Sequence, residues 1–132
     1  IIRIADWFGV EAVFASPDCV DTYNPKAVQA SMGSVFRVKI QTADIPELCR
    51  RFKEEGMEVY GTVLDGEDIY KEEFVPAGLV VMGNESVGIS LEVRSLLTRR
   101  FLIPSFGKSG AESLNVAVAT AVTLSEFRRR GL

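Results

Sequence analysis

Short apolar runs alternate with helical stripes along this chain, and that alternation restricts its fold more than any other feature. Glu11–Ala15 (EAVFA), Val35–Ile40 (VFRVKI), Met57–Leu64 (MEVYGTVL), Leu79–Met82 (LVVM) and Arg100–Ile103 (RFLI) read as strands. Helices fall between them. Ile1–Phe8 reads as the end of an amphipathic helix stopped by Gly9, and Pro25–Ala30 as a short helix with Asn24 as N-cap. After Asp44, the residues Ile45, Leu48, Cys49 and Phe52 fall at i, i+3, i+4 and i+7, one buried stripe that ends at Gly56. Ile89–Leu96 reads as another helix, and a long, almost wholly apolar helix closes the chain. Strands alternating with helices predict an α/β fold over residues 1–132, a mostly parallel sheet with helices on both faces. Ligands of such sheets bind at the carboxyl ends of the strands. Here those ends are Leu64-Asp65-Gly66, Gly83-Asn84-Glu85 and Ile103-Pro104-Ser105, each with a Gly or Pro where the backbone turns.

Composition matters mainly for what it excludes. The 132 residues include no histidine, which removes Ser-His-Asp and Cys-His mechanisms and His-ligated metal sites together. Any chemistry must use carboxylates, Arg, Lys, Tyr or a bound cofactor, and no metal is expected. Cys19 and Cys49 match no metal spacing and fit free thiols in a reducing, cytoplasmic setting. No apolar run reaches the roughly 18 to 20 residues that span a bilayer. The net charge of −3 argues against a generally basic nucleic-acid surface. The basic pair Arg99–Arg100 and the cluster Arg128–Arg130 read as a solvated charged face and tail.

Three stretches can carry chemistry. Gly83-Asn84-Glu85-Ser86-Val87-Gly88 follows an apolar strand, so its glycines permit a tight turn that presents Glu85 at the strand end. An ordinary strand-to-helix turn with an exposed Glu explains the same residues. Ser113-Leu114-Asn115 opens the last helix, where unpaired backbone N–H groups attract either a capping side chain or an anionic ligand. Simple capping, including a Ser109–Glu112 box, is the plainer reading. Arg3 on the first helix is, by itself, a surface arginine.

Taken in order, these stretches resemble a known family. GLVVMGNESVGIS followed by FLIPSFGKSGAESLNVAVATAV resembles the last two motifs of the SpoU/TrmH RNA 2′-O-ribose methyltransferases of the SPOUT superfamily, and IIRIADWFGV resembles the second half of the first motif, with Arg3 on the motif arginine. The resemblance covers nearly the whole chain. It implies a deep trefoil α/β knot near the C-terminus, a homodimer, S-adenosylmethionine as cofactor, and a tRNA or rRNA ribose as methyl acceptor. By the same transfer Thr62, Val63, Leu64, Gly83, Asn84, Glu85, Ile103, Leu114 and Asn115 line the cofactor site. Arg3, Glu85, Ser113 and Asn115 form the catalytic or substrate-positioning set. The Asn of the first motif and the strand before it are expected to precede Ile1. An RNA-binding knot protein without catalysis is the alternative. In the last helix Ala117 and Ala121 give a flat face, with Val118, Val122 and Leu124 nearby, suited either to a second subunit or to packing on the sheet.

Overall fold

The computed structural model describes residues 1–17, 33, 37–75, 77–83, 88–107 and 114–131, in two compact units, Ile1–Ile45 and Pro46–Leu132. In the first unit, α1 (Ile2–Trp7) buries Ala5 and ends as read from the sequence. Gly9 adopts a φ of 66°, a left-handed conformation that glycine takes at little cost. The Val10 amide then donates back to the Ala5 carbonyl at 3.0 Å. Strand β1 (Ala12–Ala15) runs parallel to β2 (Lys39–Thr42), with Ala12 opposite Lys39 and Ala15 opposite Thr42. The second strand, expected at Val35–Ile40, lies further along the chain. Arg37 and Val38 precede it in a turn, because Arg37 is drawn to Asp6 in an ion pair of 2.7 Å and laddering begins only at Lys39. The helix expected at Pro25–Ala30 lies outside the described residues.

Helix α2 (Ile45–Glu54), in the second unit from Pro46 on, buries Leu48 and Cys49 on the predicted stripe, and Ile45 and Phe52 are half-buried. Burial pushes the Cys49 thiol above its ordinary value. Gly56, at a φ of 75°, ends the helix, and the Met57 amide returns to the Phe52 carbonyl at 2.9 Å. A three-stranded parallel sheet comes next, in the order β4-β3-β5. Its strands are β3 (Val59–Asp68), β4 (Leu79–Val81) and β5 (Arg99–Leu102). The helix α3 (Leu91–Leu96) is capped by Ser90, whose hydroxyl accepts from the Val93 amide at 3.3 Å. It returns the chain to β5 over Gly61, where a Cβ would sit 2.6 Å from a Leu97 methyl. Helix α4 (Val116–Gly131) closes the chain.

Strand β3 differs most from expectation. The sequence reads as a loop over Asp65–Asp68, yet the strand runs on to Asp68. Thr62 and Glu67 both face Phe101, so residues 63–66 bulge out before pairing with β5 resumes at Glu67↔Phe101 and continues to Asp68↔Leu102. The chain then turns back, and the Tyr60 hydroxyl donates to the Val75 carbonyl at 2.5 Å. Tyr60, Ile69, Phe101 and Phe127 form the core here, with Phe74, Val80 and Ile103 packed against them. Tyr60 stacks on Phe101 at 5.4 Å and meets Phe127 edge-on at 5.0 Å, and Phe74 lies 4.5 Å from Phe127. Such aromatic pairs each contribute about 0.5–1.5 kcal/mol beyond the area they bury. They hold α4 against the segment that leaves β3.

Candidate active site

Of the predicted cofactor residues, Thr62, Val63 and Leu64 lie where β3 leaves its ladder with β5, Gly83 lies just past β4, and Ile103 just past β5. Thr62 and Val63 are half-buried as β3 leaves the ladder, and Leu64, at 80% exposure, stands at the tip of the bulge. Gly66 explains how the bulge closes. A Cβ at this position would lie 2.5 Å from the Phe101 carbonyl carbon, so only glycine lets the two backbones meet. After β4, Gly83 rests on the Gly88–Ile89 peptide so tightly that a Cβ would lie 2.6 Å from the Gly88 carbonyl carbon. Both ends of that six-residue motif therefore meet, as its glycines predicted. Asn84 and Glu85, between them, lie outside the described residues, as does Ser113. Past β5, Ile103 is half-buried against the aromatic core and Pro104 ends the strand.

The start of α4 favours the plainer reading of Asn115. Its side-chain oxygen accepts from the Ala117 amide at 2.8 Å and the Val118 amide at 3.4 Å, and its carbonyl accepts from Ala119 at 2.9 Å. Asn115 is thus the N-cap, and its capping bonds use the side-chain oxygen, not the amide NH₂. Leu114, next to it, is half exposed. In the first unit, Arg3 is an exposed residue of α1.

Several charged residues have roles that the sequence did not announce. Asp65, in the bulge, pairs with Arg94 at 2.5 Å and with Arg100 at 3.8 Å. Arg99 pairs with Glu72 at 3.0 Å. The pair Arg99–Arg100 is therefore neutralised within the chain. An open groove of about 310 Å³ lies beside it, lined by Asp65, Gly66, Glu67, Glu72, Thr98, Arg99 and Arg100. Its paired charges give it no net preference for an anion. Arg130 corrects the solvated-tail reading, since its side chain is only 16% exposed. It donates to the Ile69 carbonyl at 2.9 Å and to the Glu72 carbonyl, pairs with Glu126 at 2.9 Å, and lies 4.5 Å above the Phe74 ring. Glu126 is itself buried, and its hydrogen bonds from Arg129, with Arg130 adding, hold its carboxyl below the usual glutamate range against the opposing effect of burial. The spacing of Glu126 from Arg129 and Arg130 was a readable signal of pairing. Its burial was not readable, because the segment that covers it is remote in sequence.

Residues 1–125 match the SpoU rRNA Methylase family. The 23S rRNA (guanosine(2553)-2'-O)-methyltransferase RlmP of Bacillus subtilis is 32% identical over 131 residues, which cover 97% of this chain and 51% of that protein. Among solved structures, a TrmH-family protein from Porphyromonas gingivalis superimposes with a TM-score of 0.90 at 41% identity, covering 98% of this chain and 53% of that one. An AdoMet-bound rRNA methyltransferase from Sinorhizobium meliloti superimposes with a TM-score of 0.88 at 32% identity, covering 99% of this chain and 50% of that one. The chain spans about half the length of the first curated relatives it matches.

Proposed function

The chain belongs to the SpoU rRNA Methylase family, and on that premise we propose that it transfers a methyl group from S-adenosylmethionine to a ribose 2′-OH of tRNA or rRNA. The observation that carries the reading is the likeness, over 99% of the chain, to an rRNA methyltransferase bound to AdoMet, joined to the Gly66 bulge of β3 and the glycine- and proline-marked ends of β4 and β5 in one parallel sheet. The chemistry of those ends suits an adenosyl group. Val63, Leu64, Ile103 and Leu114 offer apolar surface, and the turns at Gly66 and Gly83 bring backbone close enough for hydrogen bonds. Thr62, Val63, Leu64, Gly83, Asn84, Glu85, Ile103, Leu114 and Asn115 are proposed to hold the cofactor.

The bound cofactor supplies an electrophilic methyl on sulfur. Transfer would form the ribose O–CH₃ bond at the expense of the S–CH₃ bond, with the hydroxyl proton passing to a base or to water. Positioning supplies much of the acceleration. Arg3 is assigned to clamp the ribose or its phosphate, a role a guanidinium fills better than that of a base. Glu85 and Asn115 are assigned to orient the hydroxyl, and Ser113 to help position the substrate. The amide NH₂ that Asn115 keeps free of its capping bonds supports its share of this role.

The proposal extends to topology and assembly. The Tyr60–Val75 hydrogen bond closes a loop of chain, and Arg130 of α4 is bonded to the Ile69 and Glu72 carbonyls of that loop. These bonds fasten α4 to that loop, and the knot itself is proposed from membership of the family. Helix α4 turns Thr120, Thr123, Glu126 and Phe127 inward and leaves Val118 half exposed. That apolar outer face supports a homodimer. The test is calorimetric titration with S-adenosylmethionine, then methyl transfer to tRNA and rRNA with mapping of the modified ribose. Arg3→Ala is expected to abolish transfer while leaving cofactor affinity within about threefold. Cofactor binding by the wild type without transfer to any RNA would instead favour the RNA-binding protein without catalysis.

A further inference from the structure

The bulge of β3 has little in the sheet to hold it. Residues 63–66 lie between two points that both face Phe101, so they are outside the β3–β5 ladder. Gly66 fixes one end by lying on the Phe101 backbone. On the other side, Asp65 reaches Arg94 at 2.5 Å with one oxygen and lies 3.8 Å from Arg100 with the other. Arg100 also donates to the Arg94 carbonyl at 3.2 Å, at the last turn of α3. That helix starts after Ser90, two residues beyond Gly88. One carboxylate thus links the bulge after β3 to the helix that comes after the Gly83–Gly88 motif.

We propose that Asp65 is a positioning residue for the cofactor loop, with Arg94 and Arg100 clamping residues 63–66 to α3. The role toward the cofactor rests on the proposed S-adenosylmethionine-dependent methyl transfer. The physical reason is preorganisation. A loop that binds a ligand through its backbone loses affinity when it must be ordered at the moment of binding. The pairs are partly exposed, with Asp65 57% and Arg94 34% exposed. Exposed pairs of this kind are each worth a factor of up to about five. Two pairs on one carboxylate therefore predict a loss of roughly three- to tenfold in cofactor affinity on removing it.

The test uses the whole chain and four proteins: wild type, Asp65→Asn, Arg94→Met and the double variant. S-Adenosylmethionine affinity is read by calorimetry, loop order by amide hydrogen exchange at residues 63–66, and stability by thermal unfolding. Asp65→Asn is expected to weaken binding roughly three- to tenfold and to speed exchange in the bulge. The double variant is expected to bind no more weakly than Asp65→Asn, because both changes break the same clamp. The rate of methyl transfer at saturating cofactor stays at the wild-type value, and 0.5 M salt narrows the difference in affinity. Unchanged exchange in Asp65→Asn overturns the clamp. Faster exchange with unchanged affinity overturns its role toward the cofactor. A wild type that binds no S-adenosylmethionine overturns the cofactor reading itself, while the exchange data still decide whether the clamp exists.

Discussion

Replacing Arg130 with Met should destabilise the second unit by roughly 3 kcal/mol, the low end of the loss expected when a buried ion pair is deprived of one partner. The figure rests on the contacts of the guanidinium. It donates to the Ile69 carbonyl at 2.9 Å and to the Glu72 carbonyl, and it pairs with Glu126, whose side chain is only 7% exposed. A hydrogen bond to a charged donor is worth about 1.5–3 kcal/mol. Stacking on Phe74, at 4.5 Å, adds about 0.5–1 kcal/mol. Methionine retains much of the apolar stem, and Arg129 still reaches Glu126, so the sum is not lost in full. Urea unfolding is the assay. With a slope of about 2 kcal/mol per molar, the midpoint should fall by roughly 1.5 M with the slope unchanged. Arg129→Met is the control, because it shares Glu126 but its side chain is 66% exposed. It should move the midpoint much less. A shift under about 0.3 M for Arg130→Met, or equal shifts for both variants, would refute the reasoning that Arg130 anchors α4 to the loop.

The neighbouring carboxylate predicts a pH dependence. The Glu126 pKa is lower folded than unfolded, chiefly through Arg129, so its stabilisation is present above the unfolded value and is lost as pH falls through the folded one. The urea midpoint of the wild type should therefore drop below about pH 4.3, whereas Glu126→Gln should start lower at pH 7 and respond less to acid. A gap between the two proteins that does not narrow by about pH 3 counts against this. Gly66→Ala should force the bulge off Phe101, since the clash is with backbone that cannot rotate away. Expected outcomes are a loss of about 1–3 kcal/mol in thermal unfolding and weaker S-adenosylmethionine binding by calorimetry.

Much of the architecture was legible because it is written in local periodicity. The α2 stripe, the Gly9 and Gly56 stops, and the runs at Leu79 and Arg100 each depend on residues within a few positions of one another. The start of β2 was not legible, because pairing with β1, remote in sequence, decides where the ladder begins. The ends of β4 and β5 were legible for the same local reason, whereas the expected end of β3 is a bulge inside a longer strand, set by its pairing with β5.

The sequence by itself determined the α/β class, the absence of histidine chemistry, and the close backbone meeting of Gly83 with Gly88. Tertiary structure alone decided what the charges do. Arg130 reads as part of an exposed basic tail until the Ile69–Phe74 segment is laid over it. Asp65 reads as a turn residue until α3 and β5 bring Arg94 and Arg100 to its two oxygens. The reason is physical. A side chain's spacing along the chain sets its secondary structure, but its burial and partners depend on segments far away in sequence, which only the folded chain brings together.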